Sequence, residues 1–201
     1  MQRELSRTLR VADMLTTCHS LLRDRYARLA LILDLLILAA SVWVTAMAFV
    51  DPEIAKRIAF PGFSPVMTIG LTAIFTVALS LFQLRVDWKQ RSDRHNQAAR
   101  AYAASKLELS AVLNDATANE HDGDGALRNY RFLGERYVAI PETSFNRLKR
   151  KHLIKVQISK EISNHPAAHI WAIRLRLWLT DTIKLLSKSD AGDKNDGEMR
   201  S

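Results

Sequence analysis

LALILDLLILAASVWVTAMAFV, residues 29–50, and SPVMTIGLTAIFTVALSLFQL, residues 64–84, decide the fold. Each reaches the roughly 20 apolar residues that a helix rising about 1.5 Å per residue needs to cross a hydrocarbon core about 30 Å thick. The first run holds a single charge, Asp34, and the second holds none. A buried hairpin in a soluble bundle is the competing reading, but a soluble helix of this length normally keeps one polar face. The pair reads as two membrane spans joined by a short polar loop, 51–63.

Composition agrees once it is resolved along the chain. Of 201 residues, 48% are hydrophobic and 25% charged, an average that hides an apolar hairpin between charged flanks. The net charge of +8 could indicate nucleic acid as a partner. Basic residues beside spans instead meet lipid headgroups and set topology, so the bilayer is the expected partner and nucleic acid is not. Cys18 is the one cysteine, which rules out an intramolecular disulfide. No secretory signal is read, because the first apolar run is too long and lacks a small-residue cleavage site.

Lysine and arginine counts orient the spans. Residues 9–28 hold Arg10, Arg23, Arg25 and Arg28, and residues 85–104 hold Arg85, Lys89, Arg91, Arg94 and Arg100. The loop holds only Lys56 and Arg57, offset by Asp51 and Glu53. The expectation is a multi-pass membrane protein with both termini cytoplasmic and the loop outside. Pro52 suits the first turn of a short helix there, and Pro61-Gly62 marks a turn.

Around the hairpin the chain divides into six expected segments. Residues 1–28 are a cytoplasmic juxtamembrane helix with a stripe of Val11, Leu15, Cys18, Leu22 and Leu29, in which Cys18 is a small core residue. Residues 29–50 and 64–84 are the spans, and 51–63 the loop. Residues 85–188 form a cytoplasmic helical domain, and 189–201 a polar, disordered tail. The second span is expected to run straight on to about Thr117. Ala98, Tyr102, Ser105, Leu109 and Val112 recur on it at coiled-coil spacing, a candidate seam between copies. The same stripe could instead pack within one chain. NEHDGDG, residues 119–125, reads as a solvated turn without calcium-ligand spacing. Further helices are expected over Ala126–Ala139, Pro141–Asn164 and Ala167–Ser187. The fold class is therefore an all-α membrane protein, a transmembrane hairpin followed by a cytoplasmic bundle.

No constellation supports an enzyme. Of six histidines only His165 and His169 stand four apart, and Pro166 weakens that pairing; no zinc set, phosphate loop or nucleophile motif accompanies them. No cofactor or metal is expected. The informative polar residues lie inside the spans. Thr68, Thr72, Thr76 and Ser80 step by four along the second, with Gln83 extending the line. Asp34, Ser41 and Thr45 share one face of the first. Small hydroxyl residues can be helix-packing surface, or they can line a pore in an oligomer. Asp34, about 7 Å inside its span, could reach the headgroups, yet an intramembrane carboxylate is a candidate functional residue.

The order of these elements resembles a known family. Two spans followed by Asp87-Trp88-Lys89, Ala101-Tyr102, Ile140-Pro141, Phe145, Leu148-Lys149, His152, Lys155-Val156, Ser159-Lys160 and Pro166 are similar to the SLATT proteins, the SMODS- and SLOG-associating two-transmembrane effectors of bacteria. The resemblance spans residues 20–188. It implies an oligomeric effector of anti-phage conflict systems, located in the bacterial inner membrane, that perforates that membrane when a nucleotide-signalling or sensor protein, encoded nearby, activates it. The alternative is a membrane-anchored helical interaction module that recruits partners without conduction.

Overall fold

The computed structural model describes residues 1–115, 119–167, 169–180 and 182–183. Their regular elements are all helical, without a strand. In chain order they are α1 (Gln2–Phe49), α2 (Pro52–Ile58), α3 (Pro65–Val86), α4 (Trp88–Asn114), α5 (Glu120–Arg136) and α6 (Glu142–Asn164), followed by a helical segment over 170–180. The disordered tail expected over 189–201 lies outside the described residues.

Two compact units result, Met1–Phe145 and the residues from Asn146 onward. In the first, α1 is the spine. It contains no Gly or Pro, so nothing interrupts its hydrogen-bond ladder, and its 48 residues reach about 72 Å. This revises the boundary expected at residue 28, because the juxtamembrane helix and the first apolar run are one helix. The apolar half of α1 packs on α3, and its polar half on α4 and α5. The end carrying Met1 is thus shared with α4 and α5, while α2 follows the other end and packs on α3.

The helix expected to run straight from the second apolar run breaks at Asp87. That residue adopts φ 45° and ψ 57°, the left-handed region. It ends α3 and starts α4 at once: its N–H donates to Gln83 O (3.0 Å), and its carboxylate accepts from Gln90 N (3.0 Å). Aspartate tolerates left-handed backbone better than most residues, and its side chain is a strong helix N-cap.

The seam residues are covered by the same chain. Ala98, Tyr102, Ser105 and Leu109 are buried and Val112 half-buried where α4 meets α1 and α5. Leu5, Ala12, Leu109, Ala126 and Leu127 form the core there, with Leu9, Val112, Leu113 and Tyr130 against it. This stripe therefore does not supply a face for a second copy. NEHDGDG is also not a turn, since α5 begins at Glu120. Asn119 and Asp122 close a capping box, and the acidic residues sit at the positive end of the helix dipole. Gly123 lies against the Met1 side chain, where a Cβ would come within 2.6 Å of the sulfur.

The helix α6, which lies in the second unit from Asn146 on, follows Pro141, as its sequence predicts, and ends before His165-Pro166. Ile158 of α6 and Ile173 of the next helix are buried, and most other apolar side chains of residues 170–183 are exposed.

Candidate functional site

Along their apolar runs the two helices leave most of their residues exposed. Only 6% of the most apolar stretch of each is buried. Leu31, Leu35, Leu38, Val42, Val66, Ile74, Val77, Leu81 and Leu84 are all more than 45% exposed. By length and composition both helices could cross a membrane.

On α1, Leu33 and Met47 are buried, with Ile37, Ala40 and Val44 half-buried beside them; these face α3. Asp34, Ser41 and Thr45 lie about 100° further round the helix and are exposed. Ser41 Oγ donates to Ile37 O and Thr45 Oγ1 to Ser41 O, both at 2.8 Å. Around the opposite side of α1 runs an apolar groove of about 600 Å³. Ala39, Ala40, Trp43, Leu71, Thr72 and Phe75 are among its walls. The hairpin thus has one polar side and one apolar side.

The threonines of α3 are placed differently. Thr68 is buried and accepts a hydrogen bond from Phe60 N (3.3 Å), which ties the 59–63 turn to the helix. Thr72 and Thr76 are half-buried on the side of α3 that meets α1, and their hydroxyls donate to Thr68 O and Thr72 O at 2.8 Å. Ser80 is exposed and donates to Thr76 O (2.9 Å). The structure therefore does not bring the seven polar residues to one surface. Asp34, Ser41, Thr45 and Ser80 are open; Thr68, Thr72 and Thr76 belong to the hairpin's own packing.

Asp34 and Gln83 join the helices through a hydrogen bond from Gln83 Nε2 to the Asp34 carboxylate. They line a cavity of about 300 Å³ with Ser80, Asp87, Trp88 and Lys89, where α1 passes the α3–α4 break. Two carboxylates, an ammonium and an amide thus meet at the polar end of the apolar hairpin. Among the described residues no three His, Cys, Asp or Glu side chains converge as a metal would require.

A second polar cluster was not anticipated. His19 of α1 and His95 of α4 are buried, with Nδ1 atoms 3.0 Å apart. Tyr102 stacks on His19 (centroids 5.6 Å, 13°) and Tyr26 on His95 (5.6 Å, 4°). Burial, and then repulsion from His95, lowers the His19 pKa to about 4; burial lowers that of His95 as well. Both rings favour the neutral form, in which one Nδ1–H can donate to the other Nδ1. One signal for this pair was present: His95 lies three residues before Ala98 and extends the α4 stripe by one step.

Compared with known protein families, curated proteins and solved structures, the chain matches none.

Proposed function

We propose that this chain is a two-span membrane effector whose copies assemble and open a path through the bilayer. The observation that carries the proposal is the exposed apolar surface of α1 and α3 beside a packed polar half of the same helix. Water would penalise that surface at roughly 25 cal/mol per Å², and lipid would not. Two helices cannot enclose an aqueous pore, so conduction requires several copies. The open polar side, Asp34, Ser41, Thr45 and Ser80, is the side that would face the path. Thr72 and Thr76 serve hairpin packing in this reading. The Lys and Arg bias beside the spans adds a cytoplasmic location for α4 and α5, and the resemblance to SLATT effectors adds a bacterial conflict system and activation by a nucleotide-signalling partner.

A second reading rests on one observation. The five hydroxyls of Ser41, Thr45, Thr72, Thr76 and Ser80 each donate to a carbonyl four residues earlier, so none needs water or a neighbour. That suits a membrane-anchored interaction module without conduction. Dye-loaded liposomes with rising protein-to-lipid ratio separate the two. The effector gives leakage that climbs faster than linearly, and Ser41→Leu with Thr45→Leu abolishes it while assembly persists. Full assembly without leakage at any ratio favours the module.

A further inference from the structure

Residues 146–183 carry eight Lys and Arg against Glu161 and Asp181, leaving +6 of the chain's +8. Within this unit α6 and the 170–180 helix border a groove of about 720 Å³. Its floor is apolar, with Leu153, Ile154, Leu177 and Trp178; Lys149, Arg150 and Arg174 stand at its edge, and among the described residues no carboxylate lines it.

The 170–180 helix continues this surface. At about 100° per residue, Trp171, Leu175, Trp178 and Leu179 fall within one arc, opposite the side that buries Ile173. They are exposed by 68%, 50%, 59% and 44%. Arg174 borders the arc on one flank and Arg176 on the other. Exposed tryptophans with arginines along both margins are the composition of a helix lying in a bilayer interface, where indole prefers headgroup depth and guanidinium reaches outward to phosphate.

We propose that residues 146–183 form a docking surface for an anionic lipid bilayer, with Trp171 and Trp178 inserted among the headgroups and Lys149, Arg150 and Arg174 on lipid phosphates. This rests on the reading that α1 and α3 cross a bilayer. Charge complementarity selects the occupant: residues 146–183 carry a net +6, whereas a second copy would set cation against cation. The spans also hold the unit near the bilayer at high effective concentration, so weak contacts suffice. Each basic residue near an anionic surface contributes about fivefold in partitioning (about 1 kcal/mol).

The test uses the full chain reconstituted into phosphatidylcholine vesicles with or without phosphatidylglycerol. Trp43→Phe with Trp88→Phe leaves Trp171 and Trp178 as reporters. Lipids spin-labelled near the headgroup are expected to quench them in the anionic vesicles and far less in the neutral ones. Lys149→Gln, Arg150→Gln and Arg174→Gln together should lower the docked-to-free ratio about 100-fold. A companion protein retaining only Trp43 reports on the spans through lipids labelled deep in the acyl chain. If Trp43 is quenched and Trp171 and Trp178 are not, docking is overturned and the spans stand. If Trp43 is not quenched, the spanning reading fails and takes docking with it. Tryptophans shielded equally in both lipids, with cross-links between copies, would make this a self-association face and overturn the proposal.

Discussion

His19 and His95, 76 residues apart in sequence, meet Nδ1 to Nδ1 at 3.0 Å in the interface between α1 and α4. The contact is a good hydrogen bond while at most one ring is charged, and a repulsion when both are. The residues that orient it are nearby. Ser92 Oγ donates to Arg23 O (3.0 Å), and Arg23 Nη1 to Asn96 Oδ1 (3.3 Å), so α1 and α4 are also joined one turn along α1 from the pair.

Stability of the first unit should therefore depend on pH. The folded-state pKa of His19, about 4, lies below its ordinary value of 6.5. The unfolded chain binds the proton more readily, so stability is full above pH 6.5 and is lost as pH falls toward 4. Roughly 2 kcal/mol should disappear by pH 4.5 from His19 alone. Thermal melts from pH 7.5 to 4.5 should show this, and His19→Gln with His95→Gln should flatten the slope. An unchanged slope in that variant would assign the titration elsewhere.

Ser105 gives a prediction of opposite sign. Its Oγ is buried without a hydrogen-bond partner among the described residues, beside the α1–α4 core. Ser105→Ala removes an unpaired polar atom and should raise stability by about 1 kcal/mol. A loss of stability would mean that the hydroxyl is satisfied in solution.

Asp87 is predicted to be specific in what it accepts. Alanine there loses the N-cap and keeps the left-handed strain, a cost of about 2 kcal/mol. Glycine also loses the cap but relieves the strain, and should cost only a few tenths of a kcal/mol. Equal melting temperatures for Asp87→Ala and Asp87→Gly would show that the α3–α4 break is not held by this conformation.

Much of this architecture was legible in residue spacing. The apolar runs gave the hairpin helices, Pro141 the start of α6, and the Ala98 to Val112 stripe a buried face. What covers that stripe was not legible. A heptad-like pattern reads the same whether its partner is a second copy or α1 of the same chain, because only the length of the uninterrupted α1 brings Leu5 and Ala12 alongside Leu109. The break at Asp87 was missed for a related reason: no Gly or Pro marks it, and aspartate signals a cap only when the left-handed backbone is seen. The polar residues of the hairpin could be named from sequence but not their faces: a step of four carries Thr68, Thr72, Thr76 and Ser80 around the helix, so the first three turn inward and Ser80 outward.

That partition predicts different consequences for paired leucine substitutions. Thr72→Leu with Thr76→Leu adds bulk between α1 and α3, and overpacking of this kind typically costs about 1–3 kcal/mol. Ser41→Leu with Thr45→Leu adds apolar bulk on an open surface and should leave the fold intact. Melting in mild detergent distinguishes them, and greater destabilisation by the Ser41 and Thr45 pair would reverse the assignment of faces.

The most direct measurement is the accessibility of two engineered cysteines in intact cells. Cys18 is buried and is first replaced by alanine. Lys56→Cys then marks the exposed α2, and Asn114→Cys the exposed end of α4. A membrane-impermeant maleimide should label Lys56→Cys in intact spheroplasts and label Asn114→Cys only after lysis. Equal labelling of the two before lysis, or protection of both until lysis, would contradict a hairpin that crosses the bilayer with α4 inside.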